Sequence, residues 1–391
     1  MQQLKSSLSL FQITFLGVGT MVGAGIYVLV GKVAGVSGSF SLWAFVAAAF
    51  IVLFSAYSHG FLAKHIPSSA GAAEYVNKAF HSSHLTLVVG IGVLLTGVVS
   101  CATLANGFFG YLSEFVALPK WLVISLVLGA LLLVAVQAIN TSANFAVAVT
   151  FLELLGLVLV IVFARSGNFE PALQTPSASL QDMQLVLAGA FVAFYAYVGF
   201  EDMVNLAEEV KQPHKHMLPA VMLALLITTC LYLLVAWVAL HALPIDELAR
   251  SDAPFADMLS HTPWLAKSIS LIGLIAIING ALIQVLMGSR MLFGLSRNKQ
   301  LPDFLNRLNS KQIPINATLV VIVMVWVFAL ALPLLTLAKL TSGIILVVFT
   351  LVNAAAVVIA MRKAQYGAAT IATIGAVLCV VFVASALVGG Q

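Results

Sequence analysis

Eleven long apolar runs constrain this chain more than any other feature. A helix needs about 20 apolar residues to cross the hydrocarbon core of a bilayer. Only 8% of the residues are charged, against about 25% in a soluble domain, so the chain cannot cover itself with a water-facing surface. It is expected to be an all-α polytopic membrane protein, because a membrane β-barrel would show short alternating strands. The predicted spans are 10–34, 41–63, 85–113, 120–139, 145–164, 184–207, 217–241, 264–294, 315–332, 335–360 and 367–388.

The distribution of positive charge orients these spans. With the N-terminus in the cytoplasm, 12 of the 18 lysine and arginine residues fall at cytoplasmic ends of spans, as the positive-inside rule requires. The first run is too long for a cleavable signal peptide. The sequence therefore predicts a multi-pass protein of the cell inner (plasma) membrane with a cytoplasmic N-terminus.

Glycine is concentrated in the first span. Five of the fifteen residues in GVGTMVGAGIYVLVG (17–31) are glycine, although each costs a helix about 1 kcal/mol relative to alanine. One interpretation is a helix that opens at Gly23-Ala24-Gly25, so that the N–H groups of the next half-helix can hold a carboxylate. The other is a small-residue face that packs against a neighbouring helix.

The sixth span favours the open helix. In FYAYVGFEDMVNLAEEV (194–210), Glu201 and Asp202 stand beside Gly199 in an apolar run, and an intramembrane carboxylate is costly and usually lines a cavity or a proton path. If the helix ended near Val198 instead, about fifteen residues would be left to cross the membrane, which is too few. Weakened first and sixth spans at corresponding positions are typical of a transporter built from inverted repeats. The predicted halves are 1–165 and 184–360, with an additional C-terminal helix in 361–391.

Four motifs carry a resemblance to a known family. They are GVGTMVGAGIYVLVGKVAG (17–35), PSSAGAAEYVNKAF (67–80), FYAYVGFEDMVNLAEEVKQPHKHMLPA (194–220) and GSRMLFGLSRNKQLP (288–302). The motifs and their order resemble those of the amino acid–polyamine–organocation (APC) superfamily. Within it, the chain is most similar to the permeases that resemble cationic amino acid transporters. The resemblance implies a LeuT-like fold of five plus five helices with discontinuous helices 1 and 6, and alternating access.

The resemblance also implies a substrate site. The N–H groups of Ala24 and Gly25 would hold the substrate carboxylate, and the carbonyls of Met21, Tyr195 and Val198 would receive its ammonium group. Tyr195 would lie over the substrate as an aromatic lid. The residues implied to bind substrate are Met21, Val22, Gly23, Ala24, Gly25, Ile26, Phe194, Tyr195, Ala196, Val198 and Glu201.

Two acidic residues are candidates for coupling. Glu201 matches a position at which some members couple binding to gate movement or protonation. Glu153 stands where proton-coupled relatives often carry lysine, and a buried carboxylate can carry a proton or accept a structural hydrogen bond. The eighth span has no Ser/Thr pair in INGALIQVLMG (278–288) for a sodium ion. Most relatives have twelve helices, whereas this chain has eleven predicted spans; the difference lies outside the transport core.

Three further polar residues lie inside spans. His59 is either a core histidine or a pore residue, and Asn106 and Asn353 either approach the pocket or join helices to one another by hydrogen bonds.

These features predict a secondary-active transporter of cationic or neutral L-amino acids, by proton coupling or by exchange. The alternative is an amino-acid-sensing membrane protein, or the transport subunit of a larger complex, with little flux of its own. We expect no enzymatic activity, cofactor or metal site, since no nucleophile–base pair or metal-ligand spacing is present. The expected partners are the amino acid, membrane lipid and a proton, with no nucleic acid, and the protein would be a monomer or a homodimer.

Overall fold

The computed structural model describes residues 8–68, 71–137, 143–165, 173–177, 179–297, 299–309 and 313–388. Across these ranges the chain is helical and contains no strand, apart from a single backbone bridge between Leu8 and Val210. The α-helices in this part of the chain are α1 (Leu10–Ala24), α2 (Ile26–Ser37), α3 (Ser41–His65), α4 (Gly71–Phe80), α5 (Ser83–Ser113), α6 (Lys120–Ala135), α7 (Ala143–Phe163), α8 (Leu180–Ala193), α9 (Phe200–Val204), α10 (Pro213–Ala242), α11 (Ile245–Arg250), α12 (Pro254–Met258), α13 (Pro263–Arg297), α14 (Ile315–Ala331), α15 (Leu334–Arg362) and α16 (Tyr366–Val388).

Apolar helices of membrane-spanning length dominate the molecule. Among the described residues, eight helical stretches are long and apolar enough to cross a membrane, and three shorter apolar helices accompany them. Their outer faces carry large apolar side chains; Leu126, Leu133 and Val162 are 60–64% exposed, which suits lipid rather than water. The all-α polytopic fold predicted from the sequence is confirmed.

The helices coincide with the predicted runs to within about one helical turn. The first run contains α1 and α2, the sixth contains α8 and α9, and each of the others contains one helix. The end predicted at residue 139 lies outside the described residues. Both helices predicted to be discontinuous are interrupted.

The packing follows the order of the spans. The second span (α3) packs along the seventh (α10), the third (α5) along the eighth (α13), and the fourth (α6) along the ninth (α14), while the two halves of the first span contact those of the sixth. Helices of the same rank therefore lie together in the first four pairs of the two predicted halves, which is consistent with an inverted repeat. The repeat boundaries 1–165 and 184–360, and the separate helix 361–391, stay predictions.

Candidate functional site

The first span is broken at one residue. Gly25 separates α1 from α2 with φ −127° and ψ −57°, and its carbonyl accepts hydrogen bonds from the N–H groups of Val28 and Leu29 in α2. The first N–H groups of any α-helix lack partners inside that helix, and they carry the positive end of its dipole. The break therefore presents N–H groups in the middle of a buried segment, where a carboxylate could bind them.

The second break covers six residues of the sixth span. After α8, residues Phe194–Tyr197 form a 3₁₀ turn, Val198 is extended, and Gly199 has a φ of +125° before α9 begins. Glycine is required at position 199 because other residues rarely adopt such a φ and because a Cβ there would lie 2.8 Å from the Thr20 carbonyl oxygen. The Gly199 N–H donates to Glu201 Oε2 at 2.8 Å, and its carbonyl accepts from Thr20 Oγ1 at 2.9 Å.

The two breaks touch. A Cβ built on Gly25 would overlap the Cα of Ala196 and lie 2.8 Å from its Cβ, so only glycine allows this approach without displacing the backbone. Tyr232 of α10 also joins them, since its hydroxyl lies 2.8 Å from the Met21 carbonyl oxygen and 2.7 Å from that of Ala196. The glycines of the first span thus accompany an open helix, and they also serve close packing.

The residues implied to bind substrate are brought together, and those whose side chains the structure describes are buried. Met21, Val22, Ile26, Phe194, Tyr195, Ala196 and Val198 are at most 1% exposed, and Glu201 is 9% exposed. Among the expected amine acceptors, the Met21 carbonyl bonds to Tyr232 and the Tyr195 carbonyl to the Val198 N–H.

Two aromatic side chains of the second break point to different neighbours. The Tyr195 hydroxyl reaches α5, where it lies 3.0 Å from Ser100 Oγ and 3.2 Å from the Ser100 carbonyl oxygen. The ring of Phe194 packs instead near Phe349 of α15 and Phe382 of α16, at centroid distances of 6.0 and 6.1 Å. Tyr195 is therefore tied to the third span, while Phe194 anchors the break to the last two helices.

Glu153 of α7 lies beside the first break. Its Oε1 would be 3.1 Å from a Cβ on Gly23 and accepts a hydrogen bond from Asn279 Nδ2 of α13 at 3.4 Å. The Tyr27 hydroxyl donates to its backbone carbonyl at 2.7 Å. The side chain is fully buried, and Oε2 has no hydrogen-bond partner among the described residues. A buried carboxylate of this kind needs a proton or a cation to offset its charge.

A pair of carboxylates, Glu201 and Asp202, lies in α9. Glu201 accepts from the N–H of Gly199 at the second break, while Asp202 points to α13 and accepts from Gln284 Nε2 at 3.0 Å. The ion pairs found in the described part of the chain are Lys32–Asp252 and Lys78–Glu74, so neither buried carboxylate has a cationic partner there. Sequence reasoning singled out both acids but missed Gln284, Ser100, Asn279 and Tyr232.

A known family accounts for this arrangement. A family model described as amino acid permease matches residues 8–391. The chain belongs to the amino acid permease family. The resemblance to the APC superfamily stated from the motifs is thereby confirmed.

Three relatives show how this permease compares with curated proteins. It is 25% identical to the branched-chain amino acid permease BcaP of Bacillus subtilis, over 93% of this chain and 82% of the relative. It is 28% identical to the inner membrane transport protein YbaT of Escherichia coli, over 90% and 83%. Cationic amino acid transporter 9 (chloroplastic) of Arabidopsis thaliana is 27% identical, over 77% of this chain and 57% of the relative.

Beyond the breaks, a helical cap packs on the second half of the first span. Residues 245–258, which contain α11 and α12, lie against α2, where Lys32 Nζ donates to the carbonyls of Ala249 at 3.0 Å and Ser251 at 2.8 Å. Gly31 and Gly35 make room for the cap, since a Cβ on either would clash with Leu248 or Ala249. One lysine and two glycines thus hold the cap on the second half of the broken first span.

At the other end of the permease, main-chain hydrogen bonds join Leu8 to the loop after α9. The N–H of Leu8 donates to the Glu209 carbonyl at 2.9 Å, and the Leu8 carbonyl accepts from the Lys211 N–H at 2.8 Å. Ser9 then caps α1 together with Gln12 in a capping box. Leu8, two residues before the first span, is thereby tied to the loop after the sixth.

Proposed function

We propose that this permease carries amino acids across the membrane by alternating access, with the substrate held by the backbone of the two breaks. The observation that carries the proposal is the contact of Gly25 with Ala196, which brings two interrupted helices together at the centre of a polytopic protein. Unpaired backbone groups are costly at membrane depth and survive where protein or a ligand satisfies them. Two interruptions that meet are therefore suited to a polar ligand.

The chemistry of the breaks fits an α-amino acid. The N-terminal end of α2 offers N–H groups and a positive dipole to a carboxylate, and the family likeness assigns the N–H groups of Ala24 and Gly25 to this contact. The carbonyls of Met21, Tyr195 and Val198 would accept the ammonium group. Because these groups belong to the backbone, they would recognise any α-amino acid, and the pocket wall would choose the side chain.

Cationic and neutral L-amino acids are the proposed substrates. Glu201 and Asp202 are buried beside the second break without a cationic partner in the described part of the chain, which favours a positively charged side chain. The relatives' names include a branched-chain permease and a cationic amino acid transporter. Both classes therefore belong in the first assay.

We assign coupling to Glu153 and Glu201. Each carboxylate contacts one break: Glu153 lies against Gly23, and Glu201 binds the Gly199 N–H. Gain or loss of a proton at either carboxylate would change the charge beside one of the two breaks. In alternating access, the helix ends at these breaks must move. In the proposed orientation, the Leu8 end faces the cytoplasm and the cap faces outward across the cell inner (plasma) membrane.

Counterflow in proteoliposomes tests the proposal. Vesicles preloaded with unlabelled arginine, lysine, leucine, valine or alanine should accumulate the same labelled amino acid with saturation. Saturable binding with no flux would contradict transport and would favour the sensing protein or the subunit of a larger complex. If no α-amino acid binds to or exchanges through a folded preparation, the site assignment is wrong.

Two isosteric variants identify the coupling residue. We expect Glu153→Gln to abolish the response of uptake to an inward proton gradient while counterflow continues, because glutamine can still accept the hydrogen bond from Asn279 but cannot release a proton. Glu201→Gln is the matched comparison, since its amide oxygen can still accept from the Gly199 N–H. A gradient response that persists in both variants would exclude both residues as the proton carrier.

A further inference from the structure

Tyr232 joins the two breaks although it belongs to neither. It lies on the seventh span, and its hydroxyl is within 2.8 Å of the Met21 carbonyl oxygen and within 2.7 Å of the Ala196 carbonyl oxygen. The residue is completely buried. Its ring packs edge-on near Tyr197 and Phe45, at centroid distances of 5.1 and 6.1 Å, and this packing fixes the hydroxyl at the junction.

The hydrogen-bonding capacity of this phenol is smaller than that of an amine. A tyrosine hydroxyl has one hydrogen to donate, so the Met21 and Ala196 carbonyls must share it. An ammonium group has three N–H donors and a positive charge, and charge-assisted hydrogen bonds are roughly twice as strong as neutral ones. A substrate amine is therefore the better partner for the same carbonyls.

The carbonyls that Tyr232 binds coincide with the proposed amine site. Met21 supplies one of the three carbonyls assigned to the ammonium group, and Ala196 lies in the chain between Tyr195 and Val198, which supply the others. A carbonyl without a partner in a low-dielectric interior carries a desolvation penalty. With Tyr232 present, the protein pairs two break carbonyls by itself.

We infer that Tyr232 takes the place of the substrate ammonium group while the unloaded carrier changes sides, so that this permease performs net transport and is not confined to exchange. A transporter can only exchange substrates when its empty form cannot pass through the state in which the substrate site is closed to both sides of the membrane. Here the hydroxyl lowers that barrier by pairing carbonyls that would otherwise be exposed to a dry interior. The inference rests on the proposed function, because it takes the α-amino group as the natural partner of these carbonyls.

Two transport modes separate this role from a structural one. Net uptake into substrate-free proteoliposomes requires return of the unloaded carrier, whereas counterflow does not. In the wild type we expect the two initial rates to agree within about threefold. In Tyr232→Phe we expect net uptake to fall about tenfold, the effect of losing one hydrogen bond to buried carbonyls. Counterflow should stay within about twofold of the wild type, because the substrate amine satisfies the carbonyls.

Tyr75→Phe is the matched control. Tyr75 is also fully buried, but its hydroxyl has no hydrogen-bond partner among the described residues. This variant should change neither rate. As a second readout, Tyr232→Phe should bind an α-amino acid several-fold more tightly, since the competing hydroxyl is gone, and should not gain affinity for the corresponding α-hydroxy acid, which has no ammonium group.

Three results would contradict the inference about Tyr232. If Tyr232→Phe slows net uptake and counterflow equally, the tyrosine only supports the fold. If the wild type exchanges rapidly but shows no net uptake, the inference is wrong whether or not the variant folds, while the proposed function stands. If the wild type shows neither binding nor counterflow, the proposed function fails and the inference fails with it.

Discussion

Replacement of Gly25 by alanine should uncouple the two breaks without unfolding the protein. The φ at Gly25 is negative, −127°, so alanine there avoids the left-handed region that favours glycine, and the main effect of the substitution is at the contact with Ala196. The added Cβ would overlap the Ala196 Cα and would lie 2.8 Å from its Cβ and 3.2 Å from its carbonyl carbon. The consequence is steric and confined to the place where the first and sixth spans meet.

The size of the effect follows from these distances. Non-bonded carbon atoms normally lie about 3.5–4.0 Å apart, so Gly25 and Ala196 must separate by about 1 Å to admit the new methyl group. Overpacking of this kind costs about 1–3 kcal/mol, which corresponds to a factor of about 5 to 150 in the equilibrium that brings the breaks together. Counterflow at saturating substrate should fall by a similar factor, because the closed arrangement lies on the route between the two sides.

The assay compares Gly25→Ala with Gly129→Ala in proteoliposomes, using labelled leucine and arginine. Gly129 lies in α6, and a Cβ there would meet no atom of another described element within 4 Å, so its replacement should leave counterflow unchanged and favour the helix by about 1 kcal/mol. Thermal unfolding in detergent reports whether both variants are folded. Equal counterflow in the two variants would refute the role given to the Gly25–Ala196 contact.

Two further substitutions test other contacts. Gly199→Ala should lower the melting temperature and abolish counterflow, because a residue with a side chain at φ +125° costs about 1–3 kcal/mol and its Cβ would press on the Thr20 carbonyl. A melting temperature equal to that of the wild type would show that the second break tolerates a side chain. Lys32→Met should destabilise the attachment of the cap by about 2 kcal/mol, because two charge-assisted hydrogen bonds are lost. The rate of amide hydrogen exchange in residues 245–258 should then rise about 30-fold. An unchanged exchange rate would mean that the glycine packing alone holds the cap.

The span pattern and both breaks could be predicted from the sequence because they depend on local composition. Apolar runs of the required length leave little choice but membrane helices, and clustered glycine and acidic residues weaken a helix where they occur. Gly25 lies inside the predicted opening at residues 23–25, and Gly199 lies beside the predicted intramembrane acids. Glu153 was recognised through the resemblance, at the position where proton-coupled relatives often carry lysine.

Interhelical hydrogen bonding was partly predictable. Asn106 donates to the Ala329 carbonyl of α14, and Asn353 donates to Ser55 Oγ of α3, so both join helices, as one of the two predicted alternatives states. His59 is a core histidine: it is buried, hydrogen-bonded to the Ser55 carbonyl and packed against Phe200 and Phe349. At these three positions the polar side chain has a hydrogen-bond partner.

The partners themselves could not be predicted, because they depend on how distant helices face one another. Nothing in CLYLLVAWV (230–238) distinguishes Tyr232 from an aromatic residue that faces lipid or a membrane interface. Its hydroxyl reaches a carbonyl 211 positions earlier in the chain, at Met21. Local pattern determines the breaks, whereas tertiary packing determines which side chain pairs with their carbonyls.

The bridge between Leu8 and the loop after α9 consists of main-chain atoms alone, so most side-chain substitutions do not test it. Alanine scanning would pass over it, because replacing the side chains of Leu8, Glu209 or Lys211 leaves both hydrogen bonds in place. Lys211→Pro would remove one of them, since proline has no N–H. A tag or truncation that displaces residue 8 would break both hydrogen bonds. We therefore expect an affinity tag at this end of the chain to change the transport rate itself.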